Sequence, residues 1–484
     1  MTEQAVTFSK KRWIILIITI VSTFMNTLDS SIVNVALPTM AGDLGVDTGR
    51  ISWVMSIYLI VITVCILLFG RLGDLIGHTK VFRLGLLIFT IGSLLCGFSN
   101  SFIMLLLSRA VQAVGASAGM ANNQGIITRA FPLEERGRAL GFIGTAVALG
   151  TLVGPSLGGL ILSFTGWEYL FWINVPIGLA AYIANMKFAT ADTTRPGEKL
   201  DWVGSLLIVC TLVPLFLALE LGQTRGYSAG VLMLFPIAGM GFLLFLRVET
   251  RRNEPLLDLN IFRNRHFSLS VFCAFTSFVA ISCSNILLPF YLQNVLGLSA
   301  GQAGLFMTLN PLILVLAAPI SGYLTDKIGP EILTVIGLGL NSLGLFLMST
   351  LNETPLYFIL GAYIVLMAAG NGLFQTPNTT LVMSSLPREK LGVGGSVNAL
   401  TRNLGLSLGI TLATSVLYGG MSFVLGERVT GYVAGRNDAF IFGMRLAYIS
   451  AGAVCLLGAV LTAARFYRRQ KQRALQAGHA GENG

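Results

Sequence analysis

The chain has 484 residues, 54% of them apolar and only 11% charged, where soluble domains carry about 25% charged residues. That much apolar surface excludes a water-soluble enzyme and makes lipid the natural solvent. The net charge of +10 does not indicate nucleic acid: the basic residues are scattered between long apolar runs, as expected of a positive excess on one side of a membrane.

The N-terminal residues through Trp13 are polar and basic and run directly into an apolar segment with no small-residue cleavage site, so that segment reads as a retained span. A helical span needs about 20 apolar residues. Fourteen stretches qualify: 13–38, 51–70, 81–98, 101–122, 138–163, 168–187, 201–220, 228–247, 267–292, 302–322, 332–350, 356–377, 392–418 and 440–464. Strand-type alternation is absent, so the expected fold is all-α with fourteen transmembrane helices. Of the 32 Lys and Arg, 25 fall in the N-terminus and alternate loops, including the loop 187–199. Four (Arg50, Arg225, Arg428, Arg436) fall on the other side, and Arg109, Arg402 and Arg445 lie within spans. This asymmetry predicts a multi-pass protein of the cell membrane with both termini cytoplasmic. The tail beyond 465, with His479, is expected to be disordered. The six cysteines all fall in apolar segments without metal-ligand spacing and read as small buried residues.

An internal repeat organises the spans. Gly70-Arg-Leu-Gly-Asp74-Leu-Ile-Gly77 follows span 2, and Gly322-Tyr-Leu-Thr-Asp326-Lys-Ile-Gly329 follows span 10, each matching position offset by 252 residues. Both are read as short cytoplasmic loops. The arrangement implied is six helices (1–200), a two-helix insert with its loop (201–266), six more helices (267–465) and a tail (466–484). Two parallel halves about an axis along the membrane normal is a standard carrier layout, with the central site between halves.

The repeat loop, Arg109-Ala-Val-Gln112-Ala-Val-Gly115 in span 4, and Gly150-Thr-Leu-Val-Gly154-Pro155-Ser-Leu-Gly158-Gly159 in span 5 resemble the major facilitator superfamily. Leu28-Asp29 through Leu37-Pro38 and Phe171-Trp172-Ile-Asn174-Val-Pro176 resemble its fourteen-span drug:proton antiporters. Leu75, His78 and Ala113 depart from the usual pattern. The resemblance implies a major facilitator fold of 6+2+6 helices with pseudo-twofold related halves, and the span 5 segment is similar to the signature of antiporters rather than importers.

Asp29 is the only acid deep in a span, where an ionised group costs several kcal/mol. It lies on a polar stripe with Thr19, Ser22, Asn26 and Asn34. Burial favours the neutral carboxyl, so Asp29 is the candidate proton carrier; the alternative is a structural hydrogen-bond node. Arg109 is its candidate partner, since helical rise puts both about 12–13 Å below the outer surface. Spans 1 and 4 would be neighbours in the resembled fold. Gly150, Gly154 and Gly158 share one face of span 5 and allow another helix close approach, while Pro155 can kink the helix. Gly405 and Gly409 of span 13 are candidates for the matching element. Asp74 and Asp326 are cytoplasmic gate candidates with Gly70, Gly77, Arg83, Gly322 and Gly329: each carboxylate can pair with Lys80, Arg83 or Lys327, or meet the N-terminus of a facing helix. Asn26, Tyr58, Gln112, Asn285, Asn310, Gln375 and Arg402 are candidates for the substrate cavity. Asn285 is placed at the depth of Asp29, and Arg402 faces either an anionic substrate group or a structural acceptor.

The function expected is a secondary active transporter that exports an amphiphilic compound or drug in exchange for protons by alternating access. The protein would work as a monomer in the lipid bilayer, with the proton gradient as energy source and without cofactor, metal or nucleic acid. A proton-independent facilitator or a metabolite importer is the alternative. An intramembrane lipid-modifying enzyme would need several deep catalytic groups, and the sequence offers one deep acid and no deep His.

Overall fold

The computed structural model describes residues 3–46, 48–51, 53–188, 200–225, 228–252, 255–298, 300–429 and 431–482. Arg195 and Lys199, part of the loop-charge argument, lie outside them. Among the described residues there is no strand, and fourteen helices are long and apolar enough to cross a membrane. In chain order their helical cores are α1 (Glu3–Asp43), α2 (Trp53–Ile76), α3 (His78–Gly97), α4 (Phe102–Ala130), α5 (Arg136–Phe164), α6 (Asn174–Phe188) and α7 (Trp202–Arg225). Then come α8 (Leu234–Glu249), α9 (Arg265–Phe290), α10 (Ala300–Ile328), α11 (Pro330–Met348), α12 (Tyr357–Ser384), α13 (Leu391–Leu425) and α14 (Asn437–Glu482). The protein is an all-α, fourteen-span chain.

Two expectations are corrected. The repeat segments are not loops: α2 continues to Ile76 and α10 to Ile328. The chain turns only at Gly77 and Gly329, whose φ values of 109° and 87° are costly for any residue with a Cβ. Arg, Leu and Ile between the repeat glycines are adequate helix formers, so one positive-φ residue is enough for the reversal. The tail is not irregular either, since α14 runs on to Glu482. Residues 468–477 are Arg, Gln, Lys, Ala and Leu, all strong helix formers.

Contacts group the chain into two compact units, residues 1–264 with 383–403, and residues 265–382 with 404–484. In the first, α1 packs on α5 and α6, α4 on α2 and α3, and the insert helix α7 on α8 and α2. Glycine sets the separations. A Cβ on Gly154 would lie 2.7 Å from Ser31 Cβ, and one on Gly115 would lie 2.2 Å from Phe89 N. Helix axes this close let dispersion act between backbones, which replaces the hydrophobic force that lipid removes.

The second unit repeats this packing in its own helices. Gly337 and Gly370 approach each other across α11 and α12 as Gly85 and Gly115 do across α3 and α4. Gly344 abuts Met367 where Gly92 abuts Gln112. Gly405 and Gly409 of α13 lie against Phe278, Val279 and Ser282 of α9. Ser282 Oγ donates to Leu406 O (2.6 Å) as Ser31 Oγ donates to Gly150 O (2.9 Å). In this register Ala280, not Asn285, occupies the place of Asp29; Asn285 is exposed on α9.

Candidate functional site

The site in the first unit is built on the polar stripe of α1. Thr19, Ser22, Thr23, Asn26 and Asp29 are all buried, facing helices rather than lipid. Asp29 and Arg109 have no exposed side-chain surface, and Arg109 Nη1 lies 2.7 Å from Asp29 Oδ2. Gln112 Nε2 and Asn174 Nδ2 both donate to Asp29 Oδ1, at 2.8 and 3.0 Å. Gln112 follows Arg109 by three residues and therefore shares its face of α4. It also accepts from Arg109 Nη1 (2.5 Å) and donates to Ser93 Oγ on α3 (2.8 Å). Gly92 beside Ser93 permits that approach, since a Cβ there would meet the backbone of Gln112 at 2.5 Å. Arg109 Nε donates to Val54 O (3.3 Å), and its guanidinium lies over the Tyr58 ring, 4.1 Å from the centroid.

Three donors thus converge on one carboxylate, which as an anion only accepts. A protonated carboxyl has an O–H of its own to place and no longer offers Arg109 a counter-charge. Gain of a proton at Asp29 must therefore disturb Arg109, Gln112 or Asn174, which tie together α1, α4 and α6. Of these, Asn174 and Ser93 were not singled out in the sequence. Asn174 stood only within the Trp-Ile-Asn-Val-Pro segment, and nothing local marked Ser93.

A second cluster sits where α2 meets the start of α13, within the same unit. The backbone N–H groups of Gly392 and Val393 donate to Asp74 Oδ1 and Oδ2, at 2.9 and 3.0 Å. The carboxylate caps a helix whose first-turn donors would otherwise be orphaned, and its charge complements the helix dipole. Asp74 does not pair with Lys80 or Arg83. Its titratable neighbour is the buried His78, whose Nε2 lies 3.3 Å from Asp74 Oδ1. Asn122 Nδ2 is used up on Phe69 O and Ala118 O (3.1 and 2.9 Å). Asn122 Oδ1 therefore accepts, and His78 Nδ1 donates to it at 2.8 Å. Lys80 and Arg83 fail as partners because α3 turns them away from this buried junction: Lys80 is exposed and Arg83 only half-buried. Further out, Lys390 pairs with Asp258. Burial works to raise Asp258, but the Lys390 hydrogen bond and the Asn260 N–H hold it below the ordinary carboxylate value.

The other candidates divide by unit. Gly150, Gly154 and Gly158 all meet α1, whereas Pro155 and Gly159 are exposed and a Cβ on Gly159 would meet nothing. Gly70 approaches Ser396 and Gly392 of α13, also in the first unit. Asn26 is buried on α1, and its carbonyl accepts from Ser30 Oγ (3.1 Å). Arg402 belongs to the first unit through α13. Asn285, Asn310, Gln375, Gly322, Asp326 and Gly329 belong to the second. There Gln375 donates to Asn371 Oδ1 (2.9 Å), Asn310 is half-buried, Gly322 lies buried inside α10 and Asp326 is half-buried near its end.

Residues 19–410 match the family model described as Major Facilitator Superfamily. The riboflavin transporter RibZ of Clostridioides difficile is 36% identical over 469 residues, covering 96% of this chain and 100% of that protein. The multidrug transporter MdtP of Bacillus subtilis is 29% identical, covering 87% and 78%. The multidrug resistance protein Stp of Mycobacterium tuberculosis is 30% identical, covering 85% and 76%. Among solved structures, the human organic anion transporter MFSD10 (TETRAN) superposes with a TM-score of 0.66 at 15% identity, covering 93% of this chain and 99% of that one. The proton:xylose symporter XylE does so with 0.63 at 13% identity, covering 93% and 95%. These structures share the fold, the sequence relatives are transporters, and the chain belongs to the Major Facilitator Superfamily.

Proposed function

We propose that this transporter exports an amphiphilic small molecule in exchange for protons, as a fourteen-span drug:proton antiporter, with Asp29 as the proton-binding group. The observation that carries the reading is the fully buried Asp29–Arg109 pair with its two amide donors. A carboxylate so placed is expensive inside a membrane, and a change in its charge redistributes the contacts of three helices. The multidrug transporters among the relatives support an export role. The reading includes a cell-membrane location with both termini cytoplasmic, the proton gradient as the only energy source, no cofactor and a monomeric carrier. Asp74 then acts as a latch: its hold on the first turn of α13 is a polar contact that can open and reform as access alternates.

The test is transport in proteoliposomes under an imposed proton gradient, with a panel of dyes and cationic biocides, comparing the parent with Asp29→Asn. Gradient-driven accumulation should disappear in the variant. Undiminished accumulation would remove Asp29 as the coupling group.

A second reading is favoured by RibZ, which is similar over its whole length: a carrier of a riboflavin-like metabolite. Adding riboflavin to the panel, with and without a proton uncoupler, separates the two. A facilitator goes on equilibrating its substrate after the gradient is gone.

A further inference from the structure

Among the described residues Arg402 is a charge without a counter-charge. It lies on α13 within the first unit, next to Asn403, whose Nδ2 donates to Thr63 Oγ1 on α2 (3.0 Å). With the Asp74 cap and the Asn398–Gln124 hydrogen bond (3.4 Å), this fixes the α13 backbone against α2 and α4 on both sides of the residue. Yet the guanidinium makes no hydrogen bond or ion pair with any described residue, and its side chain is only partly covered. Five planar N–H donors inside a membrane span demand acceptors, and an uncompensated charge there is disfavoured. Among the described residues no carboxylate is in salt-bridge contact with it, and Tyr58 is the ionisable group that bears on its charge. Tyr58 lies on α2 five residues before Thr63, about 7.5 Å along the axis. Its hydroxyl makes no hydrogen bond in the structure, and Ser30 Oγ, which gives its own proton to Asn26 O, keeps lone pairs that can only accept. The place therefore holds a guanidinium that no described residue answers.

The charges say the same. Among the described residues near the middle of a span, the first unit carries Asp29, Arg109 and Arg402, while Glu220, nearer the end of α7, accepts from Ser56 Oγ. The first two neutralise each other at 2.7 Å, which leaves one positive charge. A structural arginine would have been given a carboxylate or a row of carbonyls, as Arg109 was given Asp29 and Val54 O.

We propose that Arg402 is the anchor for an anionic group of the transported molecule, a carboxylate or phosphate. This deepens the carrier reading and rests on it: the substrate class becomes amphiphilic anions rather than cationic drugs. A guanidinium suits such a group because its fork matches two oxygens at once.

The experiment is thermal unfolding of the purified full chain with paired probes that differ in one charge: naphthoate against naphthamide, and riboflavin 5′-phosphate against riboflavin. The anionic member of at least one pair should raise the unfolding temperature of the parent. In Arg402→Gln its apparent affinity should fall about tenfold to a hundredfold, the range for a lost charged hydrogen bond, while Arg402→Lys should keep part of it. Without probe, Arg402→Gln should unfold no earlier than the parent, because it relieves an unpaired charge. The proposal is overturned if no anion protects, if the uncharged partner protects equally, if protection survives in Arg402→Gln, or if the unliganded variant is less stable. Binding is read here without a gradient, so failure of proton coupling in proteoliposomes leaves this outcome unaffected.

Discussion

Replacing Asp29 by Asn tests the ion pair at constant shape. An amide has one acceptor end and one donor end. With its oxygen toward Arg109 Nη1, its NH2 takes the place of Oδ1 and meets the NH2 groups of Gln112 and Asn174, which lie 2.8 and 3.0 Å from that oxygen. Flipped, its NH2 faces the guanidinium. Either way Arg109 stays buried without a counter-charge, among the neutral acceptors Val54 O and Gln112 Oε1. Breaking a buried pair from one side costs about 3–5 kcal/mol. Unfolding entropy near 2.1 cal/mol/K per residue gives about 1 kcal/mol/K for a chain of this length. The unfolding temperature should thus fall by about 3–5 °C, followed by tryptophan fluorescence of the purified protein. Arg109→Gln alone should also destabilise, and the double variant should be less destabilised than the sum, with coupling on the order of 1–3 kcal/mol. Additivity within about 0.5 kcal/mol would mean that the two charges do not sense each other, and the account of the site would be refuted.

Other consequences are checked more simply. Gly154→Ala should cost about 1–3 kcal/mol by pushing α1 from α5 and should slow transport, whereas Gly159→Ala, whose Cβ meets nothing, should gain up to about 1 kcal/mol from helix propensity; thermal unfolding of the pair measures both. Asp74→Ala orphans the Gly392 and Val393 N–H groups and should cost about 0.5–2 kcal/mol, as for a lost helix cap, seen as faster amide exchange in the first turn of α13. The Asp258–Lys390 tether should titrate. Asp258 is held below its unfolded value, so its contribution is present above the unfolded pKa of about 3.9. It is lost as pH falls through the lower folded value. Proteolytic nicking near residues 255–264 should rise only below about pH 4, and Asp258→Asn should nick at neutral pH.

The spans were legible because length and hydropathy suffice where lipid forbids unsatisfied backbone. The approach of Asp29 and Arg109 was legible for a similar reason: equal depth leaves few partners for two deep opposite charges. Asn174, Ser93 and His78 were not, because cross-helix hydrogen bonds depend on how each helix is rotated about its axis, and a single sequence does not fix that rotation. The same gap misplaced Asn285, whose depth suggested equivalence to Asp29 while the Ser31 and Ser282 contacts set a register that selects Ala280. A signal was present. Gly85 and Gly337, and Gly92 and Gly344, stand 252 residues apart, the same offset as the repeat segments, and applied to Asp29 that offset gives Ile281, one residue from Ala280 and four from Asn285. The helical character of Gly70–Ile76 was missed because its glycines suggested a loop, when only Gly77 takes a backbone angle that needs one.

The internal repeat also bears on whether the polar cluster serves the fold or the function. In the packing register, Ala280, Ile364 and Met367 of the second unit stand where Asp29, Arg109 and Gln112 stand in the first, and all three are buried and apolar. The same helix packing is therefore made without charge, and buried ion pairs are often neutral or worse for stability than apolar groups of similar size. A fold that can dispense with the cluster in one unit has no structural need of it in the other. The triple variant Asp29→Ala, Arg109→Ile, Gln112→Met should consequently insert and unfold no earlier than the parent, although Asp29→Asn alone is destabilised, and it should fail to couple transport to a proton gradient. Loss of folding in the triple variant would assign the cluster to architecture. A stable but uncoupled protein would show that the cluster's cost within the membrane is borne for the sake of transport.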